Sequence, residues 1–418
     1  MNEVNLTPFS REEKTITELT PLVTIPREPY LKLFWRYLRF GFLAWGGPVA
    51  QIAMIRQEIV EEDKWITPER FNRVLAVYQV LPGPEAHELC VYFGMLSRGR
   101  IGGLLAGLGF MLPGLVLMFA LSWLYVAYGT SSPFFSAVFQ GMQPAVAALI
   151  VRAVHRIGGH ALHDDRWLWG IALIAGLAQL LNIHFAITLV IAGVVYTLVK
   201  REYVWLAAGL SVTFIAWLVF VTFSPAANQA VASSTTEALP TGSPSLLTLF
   251  FSGLRSGLLT FGGAYTVIPF LQNDAVEVGR WMTNTQFLDG LALSGLLPAP
   301  LIIFSTFVGY IGGGPWGALV LTIGIFAPAF AFTLIGHDYV EHLVENRAAH
   351  AFLDGVTAGV VGLIGATALG ILNETVVGLP AWVIFTLALL TLFRWKAKWA
   401  VAVVMLSAGA AGWLLFHS

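Results

Sequence analysis

The sequence predicts an all-α polytopic membrane protein of two inverted-topology repeats, about six segments each, joined by an extra transmembrane helix. Broken or re-entrant helices are expected at two Pro-x-Pro sites. Composition, segment length and an internal repeat carry that expectation. Of 418 residues, 57% are hydrophobic and 11% charged, and the mean hydropathy is +0.74. A soluble domain carries roughly a quarter charged residues, so this chain has too few to cover a water-facing surface. A net charge of −1 gives no basic footprint for nucleic acid. One cysteine excludes a disulfide framework and a cysteine-cluster metal site. No resident metal or cofactor is expected.

In chain order, residues 1–30 are polar, lack the apolar core of a signal peptide, and read as a cytoplasmic tail. Apolar segments follow near 31–55, 69–96, 100–128, 133–154, 167–182, 184–199, 203–223, 246–272, 284–311, 315–336, 350–371, 380–393 and 399–416. Their lengths suit helices crossing a hydrocarbon core of about 30 Å, and none alternates like a barrel strand. The first repeat is then 31–200 and the second 246–418. Between them, 201–245 supplies the extra helix and an external linker rich in Ser, Thr, Ala and Pro. Segment 69–96 is interrupted by Pro82-Gly83-Pro84, and 284–311 by Pro298-Ala299-Pro300. Two prolines one residue apart cannot lie inside a continuous helix. The backbone groups they free must face protein or a wet cavity.

Basic residues set the expected orientation. Arg98 and Arg100, the Arg152–Arg166 loop and Lys200-Arg201 are cation-rich, whereas 129–132, 182–184 and 224–245 hold no Lys or Arg. With these basic loops and the Arg394, Lys396, Lys398 loop inside, the N-terminus is cytoplasmic and the C-terminus periplasmic.

A shift of 216 residues aligns 39–84 with 255–300 without gaps, and sixteen of the 46 pairs are identical. Polar and special positions recur: Arg39/Arg255, Gly46-Gly47/Gly262-Gly263, Trp65/Trp281, Thr67/Thr283, Pro82/Pro298 and Pro84/Pro300, with Glu58 opposite Asp274. The basic loops of the two halves fall on opposite sides, so the repeats are inverted, with 203–223 as the span that turns the second over. Paired, interrupted segments in such a repeat point to a transporter site near the midplane.

The stretch Phe42–Gln51 (FLAWGGPVAQ), the stretch Gln79–Pro84 (QVLPGP) and Phe261-Gly262-Gly263 resemble signatures of the chromate ion transporter family. The resemblance is to its long-chain, two-domain members and runs from about 31 to 416. It implies a multi-pass protein of the bacterial inner membrane that exports chromate and confers chromate resistance, with sulfate as isosteric competitor. A homodimer is compatible with it. The sequence departs at Ala299, where a second Pro-Gly-Pro could stand, and at Val267, opposite Gln51; the halves are not chemically equivalent. No P-loop is present, so the expectation is secondary active transport. Transport of sulfate or another oxyanion, and a passive anion channel, are the alternatives.

A tetrahedral dianion needs donors without too strong a positive trap, because it must also leave. Helix N-termini supply them. Residues after Pro84 and Pro300 would begin half-helices, while Gly46-Gly47 and Gly262-Gly263 would let backbone approach an ion. The same residues also serve tight helix packing. Arg39 and Arg255 lie inside apolar segments, where an ionisable group is a functional candidate; snorkelling to the headgroups is the other reading. Gln51 and Tyr265 could donate to an oxyanion or simply bond between helices. Glu85, His87 and Glu88 follow the first Pro-Gly-Pro as proton-coupling candidates, or as partners of a helix dipole. Thr67 and Thr283 read as N-caps, and Trp65 and Trp281 as interfacial anchors. His155, His160, His163, Asp164 and Asp165 match no metal template and read as part of a basic loop.

Overall fold

The computed structural model describes residues 25–129, 132–162, 165–181, 183–223, 243–336 and 346–416. Most of the expected tail and linker, with His163 and Asp164, lie outside the described residues. Within them the chain is helical, and the first predicted segment of each half is itself broken. Helix α1 (Tyr30–Phe42) and helix α2 (Gly47–Arg56, continued by a π-turn Gln57–Glu62) form a hairpin in place of one span 31–55. The chain reverses at Gly46 and Gly47, with φ of +90° and +77°, a region that favours glycine. Thirteen residues make a helix of about 20 Å, too short to cross. The matching segment breaks in the same way into α9 (Leu246–Leu258) and α10 (Val267–Gln272, continued by a π-turn Asn273–Val278), turning at Gly262 (φ +75°) and Gly263 (φ +115°).

A second hairpin follows in each half. Helix α3 (Pro68–Val80) turns through Pro82-Gly83-Pro84 into α4 (Glu85–Leu124). Helix α11 (Asn284–Ser294) turns through Pro298-Ala299-Pro300 and a 3-10 turn (Leu301–Ile303) into α12 (Phe304–Leu334). Both long helices are bent, α4 at Arg98-Gly99 and α12 at Gly313-Gly314, where the second residue of each pair, a glycine, has φ of +63° and +60°. Thr67 Oγ1 caps α3 by accepting from Arg70 N at 3.3 Å, and Thr283 Oγ1 caps α11 from Gln286 N at 3.2 Å. Trp65 and Trp281, expected at the interface, are 1% and 6% exposed. Each follows a left-handed residue, Lys64 (φ +53°) or Arg280 (φ +51°), that ends the π-turn and swings the ring inward.

Polar contacts show that the first pair of hairpins re-enters. Arg36 of α1 donates to Glu28 at 2.8 Å, to Glu58 at 2.7 Å and to Asp63 at 2.6 Å. Ser97 Oγ donates to Pro26 O at 2.7 Å, and Arg98 Nε to Glu28 O at 2.6 Å. The start of α1, the end of the π-turn and the bend of α4 therefore share one face. In the second half a methyl group added at Gly312 would lie 2.9 Å from Trp281 and 3.1 Å from Leu249, so those ends meet as well.

The remaining helices are α5 (Pro133–Ala161), α6 (Arg166–Leu180), α7 (Phe185–Lys200), α8 (Val204–Phe223), α13 (Arg347–Thr375), α14 (Gly378–Arg394) and α15 (Ala400–Phe416). Helix α5 continues through the stretch expected to be a loop from Arg152. Among the described residues, five helices are long and apolar enough to cross a membrane alone: α4, α5, α8, α12 and α13. Five helical stretches among the described residues lie between the two hairpin pairs, the long arm of α4 and then α5 to α8, an odd number as an inverted repeat requires. The repeats also interlock. Helix α5 packs on α14 and α15, while α13 packs on α6 and α7. A methyl at Gly141 would lie 2.3 Å from Ala408 O and 2.4 Å from Gly412 Cα, so backbones touch there, as small residues permit between membrane helices.

Candidate functional site

Each Pro-x-Pro turn reaches into the other repeat. Gly83 N donates to Thr260 O at 2.9 Å, just before the second glycine turn. The Leu297 and Ala299 turn lies with Trp45, Gly46 and Gly47 in one central pocket, together with Tyr265, Ser294, Gly295 and Lys398. Helix α2 starts at this pocket. Gly46 is its N-cap and Pro48 lies in its first turn, so the unpaired N–H groups and positive end of the helix face the space. A methyl at Gly46 would lie 3.0 Å from Lys398 Cα, and one at Gly47 3.7 Å from Arg156 Nη1.

Lys398 lines the pocket, and two further cations, Arg152 and Arg156, stand beside it. Their i, i+4 spacing puts both on one face of α5. The Arg156 guanidinium lies 5.4 Å from the Tyr265 ring centroid, and Arg152 has Tyr265 and Arg156 as its electrostatic neighbours. Both are half-buried, and neither guanidinium meets a carboxylate or hydrogen-bond acceptor among the described residues. Unpaired half-buried guanidinium groups are costly and suit a planar-forked recognition of an oxyanion. Sequence reading placed both in an orienting loop. Their helical spacing, continuous with 133–154, was the signal that could have found them.

The structure brings Gly46, Gly47 and Tyr265 to the pocket. Gly262 lies against α5 and α13, where an added methyl would meet Ile157 at 3.5 Å and Thr357 at 3.4 Å; Gly263 follows it. Pro82, Gly83 and Pro84 are buried against Thr260, and Pro298 and Pro300 flank the Ala299 that lines the pocket. Gln51 is buried and donates to Ala44 O at 2.9 Å, so it braces the glycine turn. Arg39 and Arg255 are not brought there. Each closes its own hairpin, Arg39 onto Glu58 and Arg255 onto Asp274, and their side chains are 57% and 43% exposed. Acid and base are an aligned pair in both repeats, which makes the clamp part of the duplicated fold.

Glu85, His87 and Glu88 stand in the first turn of α4. Glu85 has Arg156 and His160 as electrostatic neighbours. His87 is fully buried among Phe326 and Phe330, with ring centroids 5.0 and 4.7 Å away. Its nitrogens make no well-formed hydrogen bond, the Gly107 backbone being in loose reach. Glu88 is also fully buried, and neither carboxyl oxygen has a partner. Another buried acid, Asp289 on α11, was not among the site residues expected from the sequence. It accepts from Tyr125 Oη at 2.8 Å and Gln143 Nε2 at 2.9 Å. His160 Nδ1 is 2.9 Å from Arg156 O, one turn back along its own helix.

Re-entrant hairpins in an inverted repeat, with a cationic pocket where the copies meet, define a polytopic membrane protein of the transporter class. A profile of the family described as Chromate transporter matches residues 31–198 and 247–413, and the chain belongs to that family. It is 54% identical to a chromate transport protein of Pseudomonas aeruginosa over 99% of this chain and 98% of the relative. A chromate transport protein of Cupriavidus metallidurans is 29% identical over 93% of each chain. A probable chromate transport protein of Synechococcus elongatus is 28% identical over 90% of this chain and 93% of the relative. No solved structure matches the chain.

Proposed function

We propose that this protein is a secondary active transporter that exports chromate across the inner membrane, confers chromate resistance, and admits sulfate as a competitor. The observation that carries the proposal is the unpaired Arg152 and Arg156 beside the Gly46-Gly47 turn of one repeat and Tyr265 of the other. Two guanidinium groups, with Lys398 at the same pocket, supply positive charge for a dianion. The amino end of α2 adds directional donors without a further full charge.

In this reading 31–200 and 246–418 are the working repeats, with 201–245 joining them. The hairpins of 31–97 enter from the cytoplasm and return to it, and those of 246–312 do so from outside. That leaves Arg98, Lys200 and Lys398 inside, the N-terminus cytoplasmic and the C-terminus periplasmic, in keeping with basic residues inside. An inside-negative potential then favours efflux of the dianion by about 4.6 kcal/mol per 100 mV, at about 2.3 kcal/mol for each charge. Glu85, His87 and Glu88 supply proton coupling. A buried carboxyl such as Glu88 needs a proton or a partner to be tolerated, and among the described residues it has no partner.

The test is chromate flux in proteoliposomes with voltage and pH gradients imposed separately. Accumulation against the chromate gradient, driven by either force and inhibited by sulfate, is expected. Flux that only runs downhill and ignores pH would make the protein a passive anion channel.

A further inference from the structure

The two Pro-x-Pro hairpins match in sequence and at their tips, yet they differ at their bases. At the tips, a methyl at Gly83 would lie 3.2 Å from Ala329 Cβ on α12, and one at Gly114 on α4 would lie 2.5 Å from Ala299 Cβ. Each turn thus seats on the long helix of the other repeat. At the bases, every residue of α11 from Phe287 to Ser294 is buried, with Asp289 held by Tyr125 and Gln143. The counterparts of Leu288, Asp289 and Ala292 on α3 are Asn72, Arg73 and Ala76, and all three are exposed. Arg70, Arg73, Val74 and Val77 line an open cavity with Tyr92. A hairpin inside a bilayer cannot turn Asn and Arg to lipid, so that cavity holds water.

We infer that α3 and α11 are a pair of gates caught in opposite positions, α3 open and α11 closed, and that transport exchanges them. Helix α3 swings about its Pro82-Gly83-Pro84 tip onto the first turns of α13, where Arg73 pairs with Asp354, while α11 leaves Tyr125 and Gln143. The repeat fixes where α3 lands. Helices α5 and α13 both run 29 residues, from Pro133 and from Arg347, so Gln143 corresponds to Thr357. Asp354 is three residues earlier on the same face, is half-exposed, and now contacts His350 at 3.1 Å. An acid on the hairpin meets an amide and a phenol on the closed side. On the open side the hairpin carries the base and α13 the acid. The cavity along α3, walled by Tyr92 of α4, is the path by which an anion reaches the central pocket, with Glu69, Arg70 and Arg73 along it. In the orientation proposed above it opens to the cytoplasm, as export requires.

The gate can be read without any cargo, so a wrong substrate and a wrong gate give different results. In a Cys90→Ala background, Arg73→Cys with Asp354→Cys should cross-link weakly in the resting protein. Adding Asp289→Ala, which unfastens α11, should raise the yield at least severalfold. In flux, Arg73→Glu and Asp354→Arg should each lose most activity, and the double charge swap should recover a substantial part, which a purely structural role would not allow. Absence of the cross-link in both backgrounds together with no rescue overturns the gate. A cross-link between two protomers through Arg73→Cys alone would overturn it as well, because α3 would then face a second copy instead of a cavity.

Discussion

Replacing Arg156 with Gln tests the pocket where the structure makes its strongest claim. The guanidinium makes no ion pair or side-chain hydrogen bond among the described residues and has Glu85 as an electrostatic neighbour, so its removal breaks no direct contact and the loss falls mainly on the bound anion. A hydrogen bond to a charged group contributes about 1.5–3 kcal/mol. At about 1.4 kcal/mol per factor of ten, the dissociation constant for chromate should rise about ten- to 150-fold. Arg156→Lys should fall between, since it keeps the charge and loses the fork. Equilibrium binding of labelled chromate to purified protein measures this directly, with chromate uptake into inverted vesicles as the functional counterpart. Arg39→Gln is the control. Its partner Glu58 keeps Arg36 at 2.7 Å, and a half-exposed ion pair is worth up to about 1 kcal/mol, so affinity should move less than about fivefold. Unchanged binding in Arg156→Gln, or a larger loss in Arg39→Gln, would refute the assignment.

Glu88→Gln should leave the protein folded, because it replaces a buried carboxyl that has no hydrogen-bond partner among the described residues with a neutral group of the same shape, and should flatten the pH dependence of flux; an unaltered profile in the Glu85→Gln, His87→Gln and Glu88→Gln set would end the coupling role. Gly141→Val drives a side chain into the Ala408 and Gly412 backbone and should cost about 3 kcal/mol, the upper end for overpacking, read as lower thermal stability, with normal stability counting against the interlocked repeats. Asp165→Ala should cost about 1 kcal/mol through loss of the N-cap of α6, where the carboxylate accepts from Trp167 N at 2.9 Å. Burial raises the Asp165 pKa, but bonds from Trp167 N, Tyr196 and Lys200 lower it more. A lowered folded-state value means that the stabilisation is present above the usual carboxylate range and fades as pH falls through it. The melting temperatures of wild type and variant should therefore converge in acid, and a constant gap would contradict this.

The duplicated architecture was legible in the sequence because duplication leaves marks that hydrophobicity cannot mimic: the glycine pairs, the threonine caps, the spaced prolines. The caps at Thr67 and Thr283 are local and fall where expected. The fold-back at Gly46-Gly47 was not legible, because the apolar run continues through it and a double glycine serves equally for close packing. That single turn hides the partners of Arg39 and Arg255, since Glu58 and Asp274 come near only once α2 and α10 run back along α1 and α9. The same fold-back buries Trp65 and Trp281. Arg152 and Arg156 were hidden for a different reason. Cations at a helix end commonly mark orientation, and only the turn of the other repeat, arriving with Tyr265, gives this pair a pocket. The difference between α3 and α11 lies in posture, which two aligned sequences do not record.

The most direct measurement is anomalous scattering at the chromium edge from the protein crystallised with chromate. The account predicts one chromium peak in the central pocket, beside Gly47 and within reach of Arg156 and Arg152. A peak at the hairpin clamps of Arg39 or Arg255, with the central pocket empty, would contradict it.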